Sequence, residues 1–255
     1  MNRINDAAAV RSQYSNSDRL NTRISLHEKY SENKQPFGDW LFSCYEIPRG
    51  SHVLELGCGT GSMWRGHLDA LEGCELLLSD LSEGMLDVAR RNLGERRGLS
   101  CALIDIQDIP FPDGSFDIVI ANMMLYHVPD LDRALSEVRR VLKPGGAFYC
   151  ATFGEHGHNW HIARMLGIPT EISASFTLQN GEDRLKPFFG NIRRIDREDA
   201  LAVTDVDDLV DYIVSTESIR DLGGLSPAQM RERLEANMTG GVLRLPKEYG
   251  LFVCR

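Results

Sequence analysis

Between residues 51 and 153 short apolar runs alternate with helix-patterned segments, and that rhythm restricts the chain to an α/β fold: a parallel sheet with helices on both faces. Val53-Leu54-Glu55-Leu56 reads as a buried strand, followed by a glycine turn and a helix to about Leu71. Glu75 to Ser79, Ser100 to Ile104, Phe116 to Ala121 and Ala147 to Phe153 continue the strand series. Ser82 is the N-cap expected for a helix over Glu83–Leu93. Asp130 caps another that runs to about Leu142, where Lys143-Pro144-Gly145-Gly146 stops it. Later come a helix over Asn180–Phe189, a strand over Asn191–Ile195 and a last strand over Tyr249–Cys254.

The expected organisation is an N-terminal helical arm or lid over residues 1–48 and a main domain over 49–255. The arm is polar, with a predicted helix from Ser17 to Tyr30 and a short one from Gly38 to Tyr45 that puts Trp40, Leu41 and Cys44 on one face. Inserts at 154–176 and 205–240 carry helical patterns around Trp160–Leu166, Asp205–Ser215 and Ser226–Met238 and are expected to form a substrate cap.

Charge and cysteine usage exclude several classes. A net charge of −9 argues against a nucleic-acid backbone as the main partner, because phosphate binding needs a basic surface. Arg90, Arg91, Arg96 and Arg97 cluster, but at a predicted helix C-terminus, where cations are favoured. The six cysteines are scattered with no C-x-x-C pair, which fits reduced thiols in a cytoplasmic protein. The polar N-terminus lacks a secretory apolar segment, and no apolar run approaches the ~20 residues of a membrane helix.

The chemistry concentrates at the strand ends, where ligands bind in an open parallel sheet. The first strand runs into Gly57-x-Gly59-x-Gly61. A glycine loop alone also suits a dinucleotide, but this spacing lacks the pyrophosphate fingerprint. Glu55 stands just before it, and a carboxylate there favours a cationic ligand over a pyrophosphate. Asp80 and Asp105 end the next two strands. Asp80 can accept from two vicinal ribose hydroxyls, and Asp105 from an exocyclic amine.

The run Val53-Leu54-Glu55-Leu56-Gly57-Cys58-Gly59-Thr60-Gly61 resembles motif I of class I S-adenosylmethionine-dependent methyltransferases. Asp80-Leu81-Ser82 with Met85 resembles their second-strand motif. Asp105 followed by Ile109-Pro110-Phe111-Pro112-Asp113-Gly114-Ser115-Phe116-Asp117 resembles the third and the approach to strand four. Leu125-Tyr126-His127-Val128-Pro129-Asp130 and Val141-Leu142-Lys143-Pro144-Gly145-Gly146 resemble the rest. The likeness covers about residues 50 to 153 and is nearest to the small-molecule branch that includes ubiquinone- and menaquinone-biosynthesis-type enzymes. It implies a Rossmann-like sheet with an antiparallel last strand, S-adenosylmethionine as cofactor and S-adenosylhomocysteine as product. It further implies that Gly57, Cys58, Gly59 and Gly61 pass under the methionine part, with Glu55 near its amino group. Asp80 would bind the ribose, with Leu81 and Met85 against the adenine, and Asp105 with Ile106 would read the adenine edge. Asn122 and Met123 would approach the sulfonium. Trp64 would either wall this pocket or sit in the core.

Methyl transfer needs an acceptor nucleophile in line with the methyl–sulfur bond, and a base only for an acceptor such as a hydroxyl. His127, just after strand four, is the candidate base. His156, His158 and His161 do not have an established metal-ligand spacing and read as part of a polar lid, with His158 facing substrate; no metal is expected. In the arm, Arg19, Arg23 and His27 recur at four-residue spacing between Tyr14 and Tyr30. This suits a cover that closes on cofactor and acceptor through Tyr14, Arg23, His27 and Tyr30. The expected activity is methyl transfer to a small-molecule acceptor. An inactive S-adenosylmethionine-binding regulatory module and a tRNA or protein methyltransferase are the alternatives. A nicotinamide-dependent oxidoreductase is opposed by the glycine spacing. Acceptor and oligomeric state stay open.

Overall fold

The structure, a computed structural model, describes residues 25–169, 174–215 and 224–255. Seven strands form one sheet in the order β3-β2-β1-β4-β5-β7-β6. They are β1 His52–Leu56, β2 Glu75–Asp80, β3 Leu99–Leu103, β4 Phe116–Asn122, β5 Leu142–Phe153, β6 Ile192–Val203 and β7 Leu243–Cys254. β1 to β5 run parallel, and β7 is antiparallel to both its neighbours, as the sequence predicts. The strand order reverses between β1 and β4, the crevice where ligands bind in such sheets.

The helices are α1 Phe37–Cys44, α2 Glu83–Leu93, α3 Leu131–Val141, α4 His158–Leu166, α5 Gly181–Leu185, α6 Val206–Ser215 and α7 Pro227–Glu235; residues 25–30 are also helical. The Asp130 side chain accepts the Arg133 N–H (3.0 Å) at the start of α3. From there Leu131, Ala134, Leu135, Val138 and Val141 turn to one side of the sheet, the i, i+3, i+4, i+7 pattern of an amphipathic helix. The other side is covered by α1 through Trp40 and Leu41, together with Trp64, Tyr149 and Leu251.

Two expectations are corrected. No α-helix follows the glycine bend: residues Ser62–Trp64 and Leu68–Leu71 are separate 3₁₀ turns. Gly61 and Gly66 take left-handed φ of 66° and 85°, and Arg65 between them is extended, so helical hydrogen bonding cannot propagate to Leu71. The last two strands are also longer than expected. β6 runs on from Ile195 to Val203 and β7 begins at Leu243, not Tyr249, pairing over their full length from Ile192↔Cys254 to Val203↔Leu243. Charged residues inside both segments hid the strand pattern.

The register defines the working face. Glu55, Ile120 and Tyr149 lie in one row, and Asn122, Ala151, Leu251 and Ile195 in the next. Phe153, Tyr249 and Arg197 form the row after that. Cross-strand partners project to the same side, so Glu55, Asn122, Tyr249 and Arg197 share the α1 face, toward the carboxyl edge of the parallel strands.

Candidate functional site

The bend after β1 places three left-handed glycines, with φ of 70°, 55° and 66° at Gly57, Gly59 and Gly61. A Cβ on Gly57 would stand 2.9 Å from Met124 Cγ, and one on Gly61 2.9 Å from Leu93 Cδ1; at Gly59 it would meet nothing within 4 Å. Gly57 and Gly61 are therefore held small by their own neighbours, whereas Gly59 leaves open space above the backbone. Cys58 is fixed through its backbone, its N–H donating to Ser79 O (2.8 Å) and its carbonyl accepting from Gly61 (3.0 Å). Burial pushes its thiol well up, so it stays protonated.

Asp80 ends β2 beside this opening. Oδ2 accepts the Gly59 N–H and Oδ1 the Ser82 N–H, both at 2.9 Å. Burial raises its carboxyl, and those backbone donors oppose the rise. Each oxygen keeps acceptor capacity for a further donor. Leu81, next to it, is 46% exposed, an apolar side chain facing outward at a strand end. Met85 follows on the first turn of α2, its N–H on Ser82 Oγ (3.4 Å). Asp105 lies past β3, with Oδ1 accepting the Gln107 backbone N–H (2.8 Å); the Ile106 side chain is buried in the core.

Glu55 is 3% exposed. The Trp64 indole donates to its Oε2 (2.5 Å), and Asn122 Nδ2 approaches Oε1 at 3.4 Å. Asn122 Nδ2 also donates to the Tyr45 hydroxyl (2.8 Å), while its Oδ1 is buried with no partner. Trp64 is thus a core residue, and it orients the carboxylate. Burial pushes Glu55 up to about 7, with the nearby Asp80 charge acting the same way and the two donors opposing. Met123, at the end of β4, holds φ 54°, a left-handed conformation that costs a non-glycine residue energy. His127 ends the 3₁₀ turn Leu125–His127, its ring 4.4 Å from that of Tyr126, which in turn lies 4.7 Å from Phe153.

Further along the same face lies a second polar group. His27 and His158 rings meet edge to face at 5.1 Å, and His158 Nε2 is 2.9 Å from the Tyr212 hydroxyl. Burial lowers His27 to about 4 and His158 well below its ordinary value, so both are neutral at pH 7. Tyr30 does not join them; its hydroxyl donates to Asp208 (2.5 Å) and anchors the N-terminal segment on α6. Residues 31–35 continue as a strap over β6: Ser31 bridges Leu201, Glu32 N–H donates to Ala200 O (2.8 Å) and Asn33 N–H to Asp199 Oδ1 (3.0 Å). Tyr14, Arg19 and Arg23 lie outside the described residues. His156 and His161 each pack on Trp160, apart from His158, and no group of His, Cys, Asp or Glu suited to a metal occurs among the described residues.

The sequence reading missed Tyr45 and Met63 beside Asn122, and Arg197, Asp199 and Lys247 on the outer strands. Tyr45 was visible only as the end of a short helix. The outer charges sit in stretches that resemble solvated turns, and only their pairing in β6 and β7 turns them inward.

Residues 54–150 match the family described as a methyltransferase domain. A demethylmenaquinone methyltransferase of Symbiobacterium thermophilum is 39% identical over 107 residues, 40% of this chain and 42% of that protein. A malonyl-[acyl-carrier protein] O-methyltransferase of Halorhodospira halophila is 41% identical over 102 residues, 40% of this chain and 35% of that protein. Over residues 54–150 the chain is thus similar to a methyltransferase domain. The matches span less than half of these relatives' lengths. Phosphoethanolamine N-methyltransferase 2 of Haemonchus contortus, solved with S-adenosylmethionine, shares the methyltransferase fold at a TM-score of 0.60 and 18% identity, covering 98% of this chain and 59% of that one.

Glu55 gives the end of β1 a pH signature. Its value in the folded chain, about 7, stands above its ordinary 4.5, so the native state binds the proton more tightly than the unfolded chain does. The stability this supplies is complete below about pH 4.5 and is lost as pH rises through 7. Glu55→Gln keeps a neutral acceptor for Trp64 and is expected to flatten that fall. Above pH 7.5 the ligand-free variant should be the more stable by up to about 3 kcal/mol. Urea melts between pH 5 and 8 measure this; parallel pH profiles for the two proteins would place the titration elsewhere.

Proposed function

We infer that this chain is an S-adenosylmethionine-dependent methyltransferase acting on a small-molecule acceptor. The observation that carries the reading is the pairing of Gly59 and Asp80: an open, left-handed glycine whose N–H is fixed by a carboxylate that still has oxygens to offer. The residues fit the cofactor. Asp80 would hold the ribose hydroxyls, Leu81 and Met85 the adenine face, and Asp105 its amine edge. The open space over Gly59 admits the methionine part, and the orphaned Asn122 Oδ1 is an acceptor suited to its ammonium. When bound, S-adenosylmethionine supplies a methyl group on a positively charged sulfur, which an acceptor's lone pair displaces in line.

The protein's own contribution is position and field. Asp80, joined by Glu55 when it is deprotonated, brings negative charge to a partly buried site, where it favours a cation more than it would in water. The strained turn at Met123 fixes the backbone at the end of β4 beside the acceptor's approach. His127, on the following turn, is the base for an acceptor that must lose a proton. The strap over β6 and the helices α4, α6 and α7 shield the site from water. Reduced cysteines and the acidic charge support a cytoplasmic setting and a small acceptor over a nucleic acid. The relatives' names point to different acceptors, a quinone precursor and a malonyl thioester, and so support methyl transfer without choosing between them.

Calorimetry with S-adenosylmethionine and S-adenosylhomocysteine, followed by an acceptor screen that reads release of the latter, tests the reading. Micromolar binding of both with turnover on at least one small acceptor is expected. Absence of binding would overturn it, and binding without turnover across the screen would favour a regulatory module.

A further inference from the structure

Among the described residues, buried side-chain atoms without a hydrogen-bond partner occur on His27, Asn122, Arg184 and Arg197. Arg184 reaches Asp132 (3.1 Å) at the surface, and Asn122 belongs to the site above. Arg197 is different. Its side chain is only 4% exposed, Nη2 donates to Gln35 O (2.5 Å), and Nε and Nη1 have no acceptor. A guanidinium cannot shed its charge as a buried lysine can, so it needs partners.

Among the described residues, the carboxylate beside it, Asp199, is committed elsewhere. Asp199 accepts from Lys247 Nζ (2.6 Å), the Asn33 N–H (3.0 Å) and the Ser31 hydroxyl (3.2 Å), and its Oδ2 is 3.9 Å from Arg197 Nη2. Two buried cations therefore face one buried anion, leaving a single positive charge. Phe37 and Trp40 lie 5.6 and 5.8 Å from the guanidinium carbon and supply only ring faces. The register puts Arg197 beside Tyr249 on the same face as Asn122. Between β4 and β6 lie three strand spacings of ~4.8 Å, about 14 Å in all. An arginine side chain covers part of that, and α1, which Arg197 stacks on, also touches Met63 beside Asn122.

We propose that Arg197 is the acceptor-binding residue that recognises a carboxylate on the methyl acceptor, at the opposite end from the atom that takes the methyl group. This rests on the methyltransferase reading for what the bound molecule is, though not for the binding itself. One surplus charge matches a monoanion, and the planar guanidinium matches a carboxylate. The aromatic side chains of Phe37 and Tyr249 beside the guanidinium, packed at 5.5 Å, suit an aromatic or similarly flat acid. Gln35 O now on Nη2 belongs to the strap, so opening the strap frees the guanidinium as the acceptor arrives.

The test uses the full chain saturated with S-adenosylhomocysteine. Phenylacetate, 3-phenylpropionate and indole-3-acetate are compared by calorimetry with their primary amides and with phenyl phosphate. At least one acid should bind at least about tenfold more tightly than its amide, the ratio expected for one charge-assisted contact. Arg197→Met should erase that ratio while leaving S-adenosylhomocysteine affinity unchanged. Its ligand-free melting temperature should not fall, because Asp199 keeps its other partners; a purely structural arginine would lower it. Equal binding of acids and amides, no binding of any acid, preference for the phosphate, or a ratio that survives in Arg197→Met would each overturn the proposal. If the variant does not fold, the acid–amide comparison on the unaltered chain still decides. Should S-adenosylhomocysteine fail to bind while acids are still discriminated, the methyltransferase reading falls and the anion site stands.

Discussion

An Asp80→Ala chain is expected to bind S-adenosylhomocysteine at least about a hundredfold more weakly than the wild type, with little change in its urea midpoint. The substitution removes two things at once. It takes away the acceptors proposed for the ribose hydroxyls, and it releases the Gly59 N–H that Oδ2 now fixes at 2.9 Å. Truncating one partner of a partly buried, hydrogen-bonded charge costs about 2–5 kcal/mol in binding, which brackets the hundredfold figure. Asp80→Asn is no mild control. Its amide would turn N–H groups toward either Gly59 or Ser82, both of which are donors, so it should lose most of the same affinity. Calorimetry on folded variants makes the measurement. An affinity within threefold of wild type would show that the carboxylate serves only the turn.

Gly57→Ala and Gly59→Ala should fail in opposite ways. At Gly57 a methyl group meets Met124 at 2.9 Å in a backbone with φ 70°. Left-handed strain of about 1–2 kcal/mol and overpacking of about 1–3 kcal/mol add up to a fall in melting temperature of roughly 5–15 °C for a domain of this size. At Gly59 the strain remains but nothing crowds the methyl group, so the melting temperature should drop by only a few degrees. There the methyl group would stand in the space assigned to the cofactor, and S-adenosylhomocysteine affinity should collapse. Melting curves and calorimetry on both proteins separate the outcomes. A Gly59→Ala chain with wild-type affinity would mean the opening over that residue is not the cofactor's place.

The central strands β1, β2, β4 and β5 were legible because they are largely buried on both sides and so are mostly apolar, and because Ser82 and Asp130 mark helix starts chemically. Strand-end acids were legible for the same reason: Asp80 interrupts an apolar run. The stretch after Gly61 misled because Leu68, Leu71 and Trp64 have helix-like spacing, while Gly66 breaks the backbone between them. The outer strands misled for a different reason. In β6 the inward positions from Ile195 to Val203 include Arg197 and Asp199, so period-two hydrophobicity vanishes where the chain is most tightly paired. A charged residue turned inward looks, in one dimension, like one turned to water. The polar neighbourhood of Glu55 was half legible. Its acid stood out, but the Tyr45, Met63 and Asn122 side chains around it come from segments far apart in sequence, which only folding brings together.

The short contact between the Trp64 indole and the Glu55 carboxylate makes the protein its own optical gauge. Indole emission shifts and dims when a neighbouring negative charge appears or is neutralised. With Trp40 and Trp160 replaced by phenylalanine, excitation at the red edge of the indole band therefore reports the ionisation of Glu55 as it happens. A cation drawn in over the glycine bend would pull the proton off that acid near neutral pH. Arrival of the methyl donor would then be visible, in a stopped-flow trace, as a change in intrinsic light from a residue that need not touch it.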